Sequence, residues 1–84
     1  MEAPDRTGQT WQIRSVNASR FVFLVVGPPV RRGVEWMHPV LILRNDMRPD
    51  RVGVQSTTIE PRVPQNVDDE PGPWEHETGM TRIA

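Results

Sequence analysis

The residues best suited to chemistry lie in one stretch, GVEWMHPVLILRND, which occupies positions 33–46. Its His38 carries an imidazole with an unperturbed pKa of about 6.5, so it could accept or donate a proton near neutral pH. Guanidinium groups that could stabilise a developing negative charge lie at Arg31, Arg32 and Arg44. The alternative is that His38 is a polar residue at the entrance of a strand. The stretch therefore indicates either an acid–base site or one edge of a small barrel.

Other chemistries find little support in the sequence. His38 and His76 lie far apart, there is no cysteine and no HExxH spacing, so we expect no metal site. The Trp-Glu-His-Glu run at 74–77 could hold a metal loosely, but a solvated charged segment is the simpler explanation. Gly27 is followed by two prolines, which lack the backbone donors of a phosphate-binding loop. We therefore predict no cofactor.

The sequence pattern predicts that short β-strands position these residues. Alternation from Trp11 to Ser15 predicts a half-buried strand, and RFVFLVV, at 20–26, predicts a central strand with two apolar faces. Residues 30–38 read as a loop or irregular edge segment, and residues 40–43 as a third strand. Residues 51–56 alternate as a further strand, followed by a last turn at Ser-Thr-Thr-Ile-Glu-Pro or one more short strand. No window has the periodicity and caps of a helix, so the predicted fold class is all-β, a small antiparallel barrel or roll of four to five strands.

Charge and proline content divide the chain. Residues 11–62 carry eight arginines and four acidic residues, whereas residues 63–84 carry one arginine and five acidic residues. Four prolines and few aliphatic residues from position 61 onward predict an extended, disordered acidic tail. The predicted organisation is a flexible N-terminus (1–9), a barrel (10–62) and the tail (63–84). Trp74 is the exception within the tail, and it could anchor the tail on a partner or on its own barrel.

Composition also bears on location. Without cysteine there is no disulfide framework. The longest apolar run has six residues, at 21–26, against the roughly twenty that a membrane-spanning helix needs. The opening MEAPDRTGQT lacks the apolar region of a signal peptide. We predict a cytoplasmic protein, or a virion protein if the chain is phage-encoded, with no membrane contact.

Part of the sequence resembles the MazF/PemK toxin endoribonucleases. Residues 39–46, Pro-Val-Leu-Ile-Leu-Arg-Asn-Asp, are similar to a strand of that family, and Gly-Val-Glu at 33–35 is similar to the loop before it. A threonine ends a later strand in the family, for which Thr57 or Thr58 would stand. The resemblance implies a small barrel that cleaves single-stranded RNA without a metal, with His38, Thr57 and Arg32 as the catalytic set. The chain departs from the family in placing His38 where the family has arginine, and in lacking its helical C-terminal part.

The overall plan resembles Src-homology-3-like (SH3-like) barrels of small phage and actinobacterial proteins. A Gly-x-x-Trp opening at 8–11, a turn, a long second strand, a hydrophobic third strand and the final Ser-Thr-Thr-Ile-Glu-Pro follow that order. The resemblance covers about residues 8–61 and implies the barrel architecture. It implies no activity, because one fold hosts many functions.

The function that we expect is a non-enzymatic protein-interaction module, such as a small assembly, adaptor or inhibitor protein. Its partner is a protein, with a second copy of the chain as an alternative, and the predicted contact residues are Arg31, Arg32, Glu35, Trp36 and Trp74. We expect the body to fold without residues 63–84 but to bind its partner less well. The second hypothesis is a nucleic-acid-binding barrel that uses Trp11, Arg14, Arg20, Arg44, Arg48 and Arg51. The third is the MazF-like ribonuclease or a degenerate relative.

Overall fold

The chain forms a strongly curled antiparallel β-sheet, a half-barrel. The structure is a computed structural model that describes residues 3–60, Trp74 and residues 79–84. Within these residues there are six strands and a 3₁₀ turn, in the order β1 Thr10–Arg14, β2 Arg20–Val25, β3 Val30–Arg32, β4 Glu35–Asn45, the 3₁₀ turn Pro49–Arg51, β5 Gln55–Glu60 and β6 Met80–Arg82. The predicted all-β fold class and antiparallel barrel-like arrangement are confirmed.

The longest strand, β4, pairs with three others. β5 runs along one edge of β4, while β2 and β3 follow one another along the opposite edge. Val25 lies opposite Val40, and Val30 lies opposite Met37, so β2 and β3 form one interrupted arm of a hairpin with β4. The interruption falls at the Gly-Pro-Pro of positions 27–29, because proline has no N–H to donate to a neighbouring strand.

The tip of this hairpin corrects a prediction. Residues 30–38, predicted as a loop or irregular edge, form β3, a two-residue turn and the start of β4. Arg32 lies opposite Glu35, and Gly33 between them has a φ of +62°. A positive φ at the first central position is typical of a type II′ turn, which fits the twist of a tight hairpin and favours glycine there. The turn chemistry was therefore present in the sequence, but β3 is too short to show a pattern of its own.

The segment after β4 also differs from its prediction. The strand expected over residues 51–56 begins too early, and the segment expected as a last turn or one more short strand is a strand, β5. The Gly53 N–H donates to the Ile42 carbonyl at 2.8 Å, and the Ile42 N–H donates to the Val54 carbonyl at 3.1 Å, so the chain joins the edge of β4 just before β5 begins. Thr57, Thr58 and Ile59 are β-branched, which favours the strand that follows.

The opposite edge of the sheet is β6, which comes from the predicted tail. Met80 lies opposite Ile13 and Arg82 opposite Trp11, so β6 extends the sheet beyond β1. Gly79 makes a close approach to β1, since a Cβ at this position would lie 2.5 Å from the Arg14 carbonyl oxygen. The sequence pattern did not predict this strand. The expectation of disorder for residues 61–73 and 75–78 falls outside the described residues.

The hydrophobic core lies on the concave side of the sheet. It consists of buried side chains from β1, β2 and β4 together with one tryptophan from beyond β5: Trp11, Phe23, Val25, Val40 and Trp74. Phe21 and Met80 pack against its margin. The concave face is therefore covered by side chains that come from well-separated parts of the chain.

Candidate functional site

A buried ionic cluster lies within the concave face. Glu60, the last residue of β5, accepts hydrogen bonds from the guanidinium of Arg6, with Nε to Oε2 at 3.1 Å and Nη2 to Oε1 at 2.9 Å. The same Oε2 lies 2.7 Å from Nε2 of His38 on β4. These three residues are called the Arg–Glu–His cluster below. Their exposed fractions are 2%, 5% and 0% for Arg6, Glu60 and His38, so the cluster has almost no contact with solvent.

Two tryptophan rings enclose the arginine of this cluster. The Arg6 guanidinium carbon lies 5.1 Å from the Trp11 ring centroid and 4.5 Å from that of Trp74, within the range of cation–π attraction. Trp74 also meets Trp11 and Phe23 edge-to-face, at centroid distances of 5.2 and 5.6 Å, and lies 4.8 Å from the His38 ring. Edge-to-face contacts add to the energy gained from burial. Trp74 is thus an anchor on its own half-barrel.

Local hydrogen bonds bring Arg6 into this position. Asp5 Oδ1 accepts the backbone N–H and the hydroxyl of Thr7, at 3.0 and 2.6 Å, which forms a turn around Arg6. The Gly8 N–H then donates to the Val25 carbonyl at 2.8 Å, at the end of β2. The segment predicted as a flexible N-terminus therefore contains a buried side chain that is held by the sheet.

The electrostatics of Glu60 follow from these contacts. Burial by itself raises the pKa of Glu60, but the hydrogen bonds from His38 and Arg6, with the charge of Arg6, outweigh burial and lower the pKa. Glu60 is therefore an anion, and because a carboxylate only accepts, Nε2 of His38 carries the hydrogen of their bond. His38 Nδ1 is buried and has no hydrogen-bond partner among the described residues.

The Arg–Glu–His cluster connects separate parts of the fold. It joins the N-terminal segment, β4 and β5 across the concave face, and its polar atoms are covered. Arg6 and Glu60 were not predicted from the sequence, because 54 positions separate them. The alternation of β5 could have indicated the burial of Glu60, because Ser56, Thr58 and Glu60 all face the concave side. A carboxylate on the buried side of a strand indicates that it has a partner there.

The residues that the MazF resemblance implies are not brought together. His38 is buried in the Arg–Glu–His cluster, whereas Thr57 is exposed and lies opposite Pro39 on the outer side of the sheet. Arg32 is exposed at the hairpin tip, opposite Glu35. The three side chains therefore do not face a common space in which an RNA phosphate could react.

The predicted contact residues divide into two groups. Arg31, Arg32 and Glu35 are exposed at the tip of the β3–β4 hairpin, and Trp36 is half-buried beside them. The Arg31 Nε donates to the Gly33 carbonyl oxygen at 3.0 Å, which holds that side chain along the turn. Trp74 is 1% exposed and lies in the core, away from this surface.

The outer face of the sheet carries apolar side chains next to this tip. Val30, Met37 and Ile59 lie opposite one another on β3, β4 and β5, and are called the outer row below. Val30 is 55% exposed and Ile59 47% exposed. The sequence indicated apolar residues on both faces of β4, a pattern typical of a strand that is covered on both sides. On β4 the inward-facing His38, Val40 and Ile42 are buried, whereas Met37, Pro39 and Leu41 on the outer side are only half-buried.

The predicted nucleic-acid residues are partly assembled. Arg14 and Arg20 lie directly opposite one another at the ends of β1 and β2. On the neighbouring strand, Arg44 donates from Nε to Asp46 Oδ1 at 2.8 Å. Arg48 and Arg51 are exposed at the 3₁₀ turn that follows. Trp11, in contrast, is 1% exposed, so it offers no face on which a base could stack.

Comparisons with known proteins do not relate this chain to a family. No family model, no curated protein and no solved structure matches the chain. Among residues 3–60, 74 and 79–84, no three histidine, cysteine or acidic side chains come close enough together to hold a metal ion. The same residues contain no helix that is both long and apolar enough to cross a membrane.

Proposed function

We propose that the protein is a small, non-enzymatic protein-interaction module whose contact surface is the outer side of the β3–β4 hairpin. The observation that carries the proposal is the outer row, in which Val30 and Ile59 are exposed and Met37 is half-buried, directly beside the charged tip of the hairpin. An aligned apolar row on a rigid sheet, rimmed by charge, is typical of a protein contact surface.

The chemistry of the tip supports the same proposal. Arginine and methionine are enriched in protein interfaces, and Arg32, which lies opposite Glu35, is on the same face of the hairpin as Met37. The hairpin is ordered by its register and its tight turn, so binding costs little conformational entropy in the backbone. The proposal does not rest on Trp74, because that ring is buried. The acidic residues of the predicted tail lie outside the described residues.

The test compares two aspartate substitutions at equally exposed positions. Proteins captured by the full chain from its host are identified, purified and titrated against wild type, Ile59→Asp and Val52→Asp. Ile59 and Val52 are 47% and 48% exposed, so the two variants introduce the same charge at similar accessibility. We expect Ile59→Asp to weaken affinity about tenfold or more, as at an interface hot spot, and Val52→Asp to change it less than about twofold.

Two results would overturn the proposal. The first is a partner that binds wild type and Ile59→Asp equally. The second is cleavage of RNA by the purified chain that is lost in His38→Ala, which would favour the MazF-like alternative instead. Circular dichroism of each variant shows whether the sheet is intact.

A nucleic-acid-binding barrel is the second candidate, and one observation favours it. Among the described residues, Arg6 and Arg44 lie within ion-pair distance of an aspartate or glutamate side chain, and the other seven arginines do not. Arginines free of carboxylates suit phosphate contacts. Titration with single- and double-stranded oligonucleotides at two salt concentrations tests this candidate, and affinity that does not fall with salt would exclude it. That the half-barrel is SH3-like, and that the protein is of phage or actinobacterial type, are likewise proposals.

A further inference from the structure

The strand β5 forms an open edge of the sheet. It pairs with β4 along one side, and no other described strand lies along its second side. One step before β5, the Ile42 N–H donates to the Val54 carbonyl, so these two residues form a hydrogen-bonded pair of the same register. In an antiparallel ladder such pairs alternate with pairs that exchange no hydrogen bonds. The backbone N–H and C=O groups of Gln55, Thr57 and Ile59 therefore point away from β4.

A second hydrogen bond supports this orientation. The Pro39 carbonyl accepts from the Val26 N–H at 2.9 Å, on the β2 side of β4. Pro39 lies opposite Thr57, so this pair exchanges no hydrogen bond and Thr57 directs its backbone groups to the open side. No hydrogen bond among the described residues uses the backbone groups of Gln55, Thr57 or Ile59. A row of donors and acceptors is thus presented along this edge.

The β5 edge lacks the features that commonly protect a strand edge. Such edges are short, or carry a basic side chain, a proline or a bulge. The opposite edge of the sheet, β6, has three residues and includes Arg82. In contrast, β5 has six residues, and its one charged side chain, Glu60, is buried in the Arg–Glu–His cluster. The β5 edge is therefore uncharged and long enough to pair with another strand.

We propose that β5 pairs with β5 of a second copy of this chain, antiparallel and about a two-fold axis at Thr57. The open backbone groups are arranged symmetrically about Thr57. This register places Thr57 opposite Thr57 of the second copy, and Gln55 opposite Ile59 of the second copy. Opposed residues of this kind exchange both of their N–H···O bonds, so every open group of the edge finds a partner.

The side chains of β5 favour a second copy as the occupant. On the outer side the two Thr57 hydroxyls meet, and on the concave side Ser56 lies opposite Thr58 of the second copy. Cross-strand pairs of threonine and serine stabilise antiparallel sheets, and no like charges are opposed. The aliphatic part of Gln55 covers Ile59 of the second copy, which is 47% exposed in the single chain. Because the pairing uses both β5 edges, it closes at two copies.

Sedimentation equilibrium of the full chain tests the pairing. We expect a monomer–dimer equilibrium in the micromolar range, because one pair of strands buries less area than a standard stable interface. Thr57→Pro removes an N–H that points away from β4, where an edge strand tolerates proline. It should weaken dimerisation about tenfold or more, since two hydrogen bonds are lost per dimer. Arg82→Pro is the matched control at an outward-pointing position of β6, and should change the affinity less than about twofold.

A pair of charge variants tests the register and the identity of the partner. Thr57→Lys and Thr57→Glu each bring like charges together on the two-fold axis, so each should dimerise about fivefold more weakly than wild type at low salt. An equimolar mixture should recover the wild-type affinity as a heterodimer, because lysine then faces glutamate. Thr81 is also an exposed threonine on an edge strand, and Thr81→Lys, Thr81→Glu and their mixture should all dimerise as wild type does.

Four results would overturn the inference. A chain that stays monomeric into the millimolar range has no such pairing, and a dimer that survives both Thr57→Pro and Thr57→Lys pairs elsewhere. A mixture of Thr57→Lys and Thr57→Glu that recovers no affinity would exclude the register about Thr57. A host protein that binds a monomeric wild type and is lost in Thr57→Pro would assign the edge to a foreign strand. Thr57→Pro keeps the outer row, so partner binding there is measured without the dimer and the two proposals fail separately.

Discussion

The two faces of the sheet use polar and apolar side chains in opposite ways. On the concave face, Arg6, Glu60 and His38 are buried and bonded to one another. On the outer face, Val30 and Ile59 are about half exposed. Buried charge is costly unless it is paired, and exposed apolar surface is unfavourable unless something covers it. We infer that the concave face closes the fold, whereas the outer face is suited to contact.

We expect the largest loss of stability when the Trp74 ring, which covers the concave face, is removed. Trp74→Ala removes contacts with Trp11, Phe23 and His38, and we expect a loss of about 3–5 kcal/mol in the free energy of unfolding. A domain of this size has little more stability than that. Urea unfolding followed by circular dichroism measures the loss, with the half-buried Trp36→Ala as the control. An equal loss in both variants would contradict a special role for Trp74.

The same reasoning changes the expectation for a truncated chain. The sequence alone predicts that the body folds without residues 63–84. Their deletion removes both Trp74 and β6, so we now expect the remaining body to lose its cooperative unfolding transition. A truncated chain with wild-type unfolding would show that the concave face needs neither element.

The next largest effect should come from the charge inside the cluster. Glu60→Gln removes the carboxylate that Arg6 and His38 share, and we expect a loss of about 3 kcal/mol, as when one member of a buried ion pair is removed. Glu35→Gln, on the exposed hairpin, should change stability by no more than about 0.5 kcal/mol. Both are measured by urea unfolding near neutral pH. Similar values for the two variants would mean that the cluster contributes no more than a surface charge.

We expect acid to lower the stability of the fold, because Glu60 on the concave face becomes protonated. The hydrogen bonds of Glu60 lower its folded pKa, so its stabilisation is complete above the unfolded value of about 4.3 and is lost as pH falls toward the folded pKa. We expect the urea midpoint to decrease below about pH 4.3 in the wild type. Asp46 has a lowered pKa from its bond to Arg44 and adds to the slope. Glu60→Gln should show a shallower decrease, and an identical slope would contradict the assignment.

Changes on the outer face should have the smallest effect on stability. Ile59→Thr keeps a β-branched side chain at a half-exposed position, so we expect a change of no more than about 0.5 kcal/mol. Val25→Thr makes a similar change in the core and should cost about 1–3 kcal/mol, because it buries a hydroxyl. Comparable costs in the two variants would mean that the outer row is covered within the folded chain.

Strands with a local pattern were predictable from the sequence, and strands without one were not. β1, β2 and the middle of β4 show alternation or β-branched runs, and they lie close to their predicted positions. β3 and β6 have three residues each, too few for any periodicity, and they exist because β4 and β1 supply their hydrogen-bond partners. β5 was placed too early because Val52 and Val54 alternate with Gly53 and Gln55 as in a strand, although these residues lead from the 3₁₀ turn into β5.

The site residues follow the same division. Exposure of Arg31, Arg32 and Glu35 follows from a glycine turn, which is a local property. The burial of Arg6 depends on Glu60, which is 54 positions away, and no local pattern encodes that pairing. His38 has the chemistry of a base, but its contact with buried Glu60 depends on a partner 22 positions away. The open edge of β5 depends on which strands pair with β4, which only the folded sheet determines.

The long separation between Arg6 and Glu60 also sets an order of events in folding. The hairpin of β2 to β4 joins neighbouring segments, and such hairpins form within about 1–10 μs. The contacts of Trp74 and of the Arg–Glu–His cluster join distant segments, so we expect them to form late, after the rate-limiting step of folding. Substitutions of Trp74 should then accelerate unfolding and leave the refolding rate nearly unchanged. The cluster would thus control how long the folded state lasts more than how quickly it is reached.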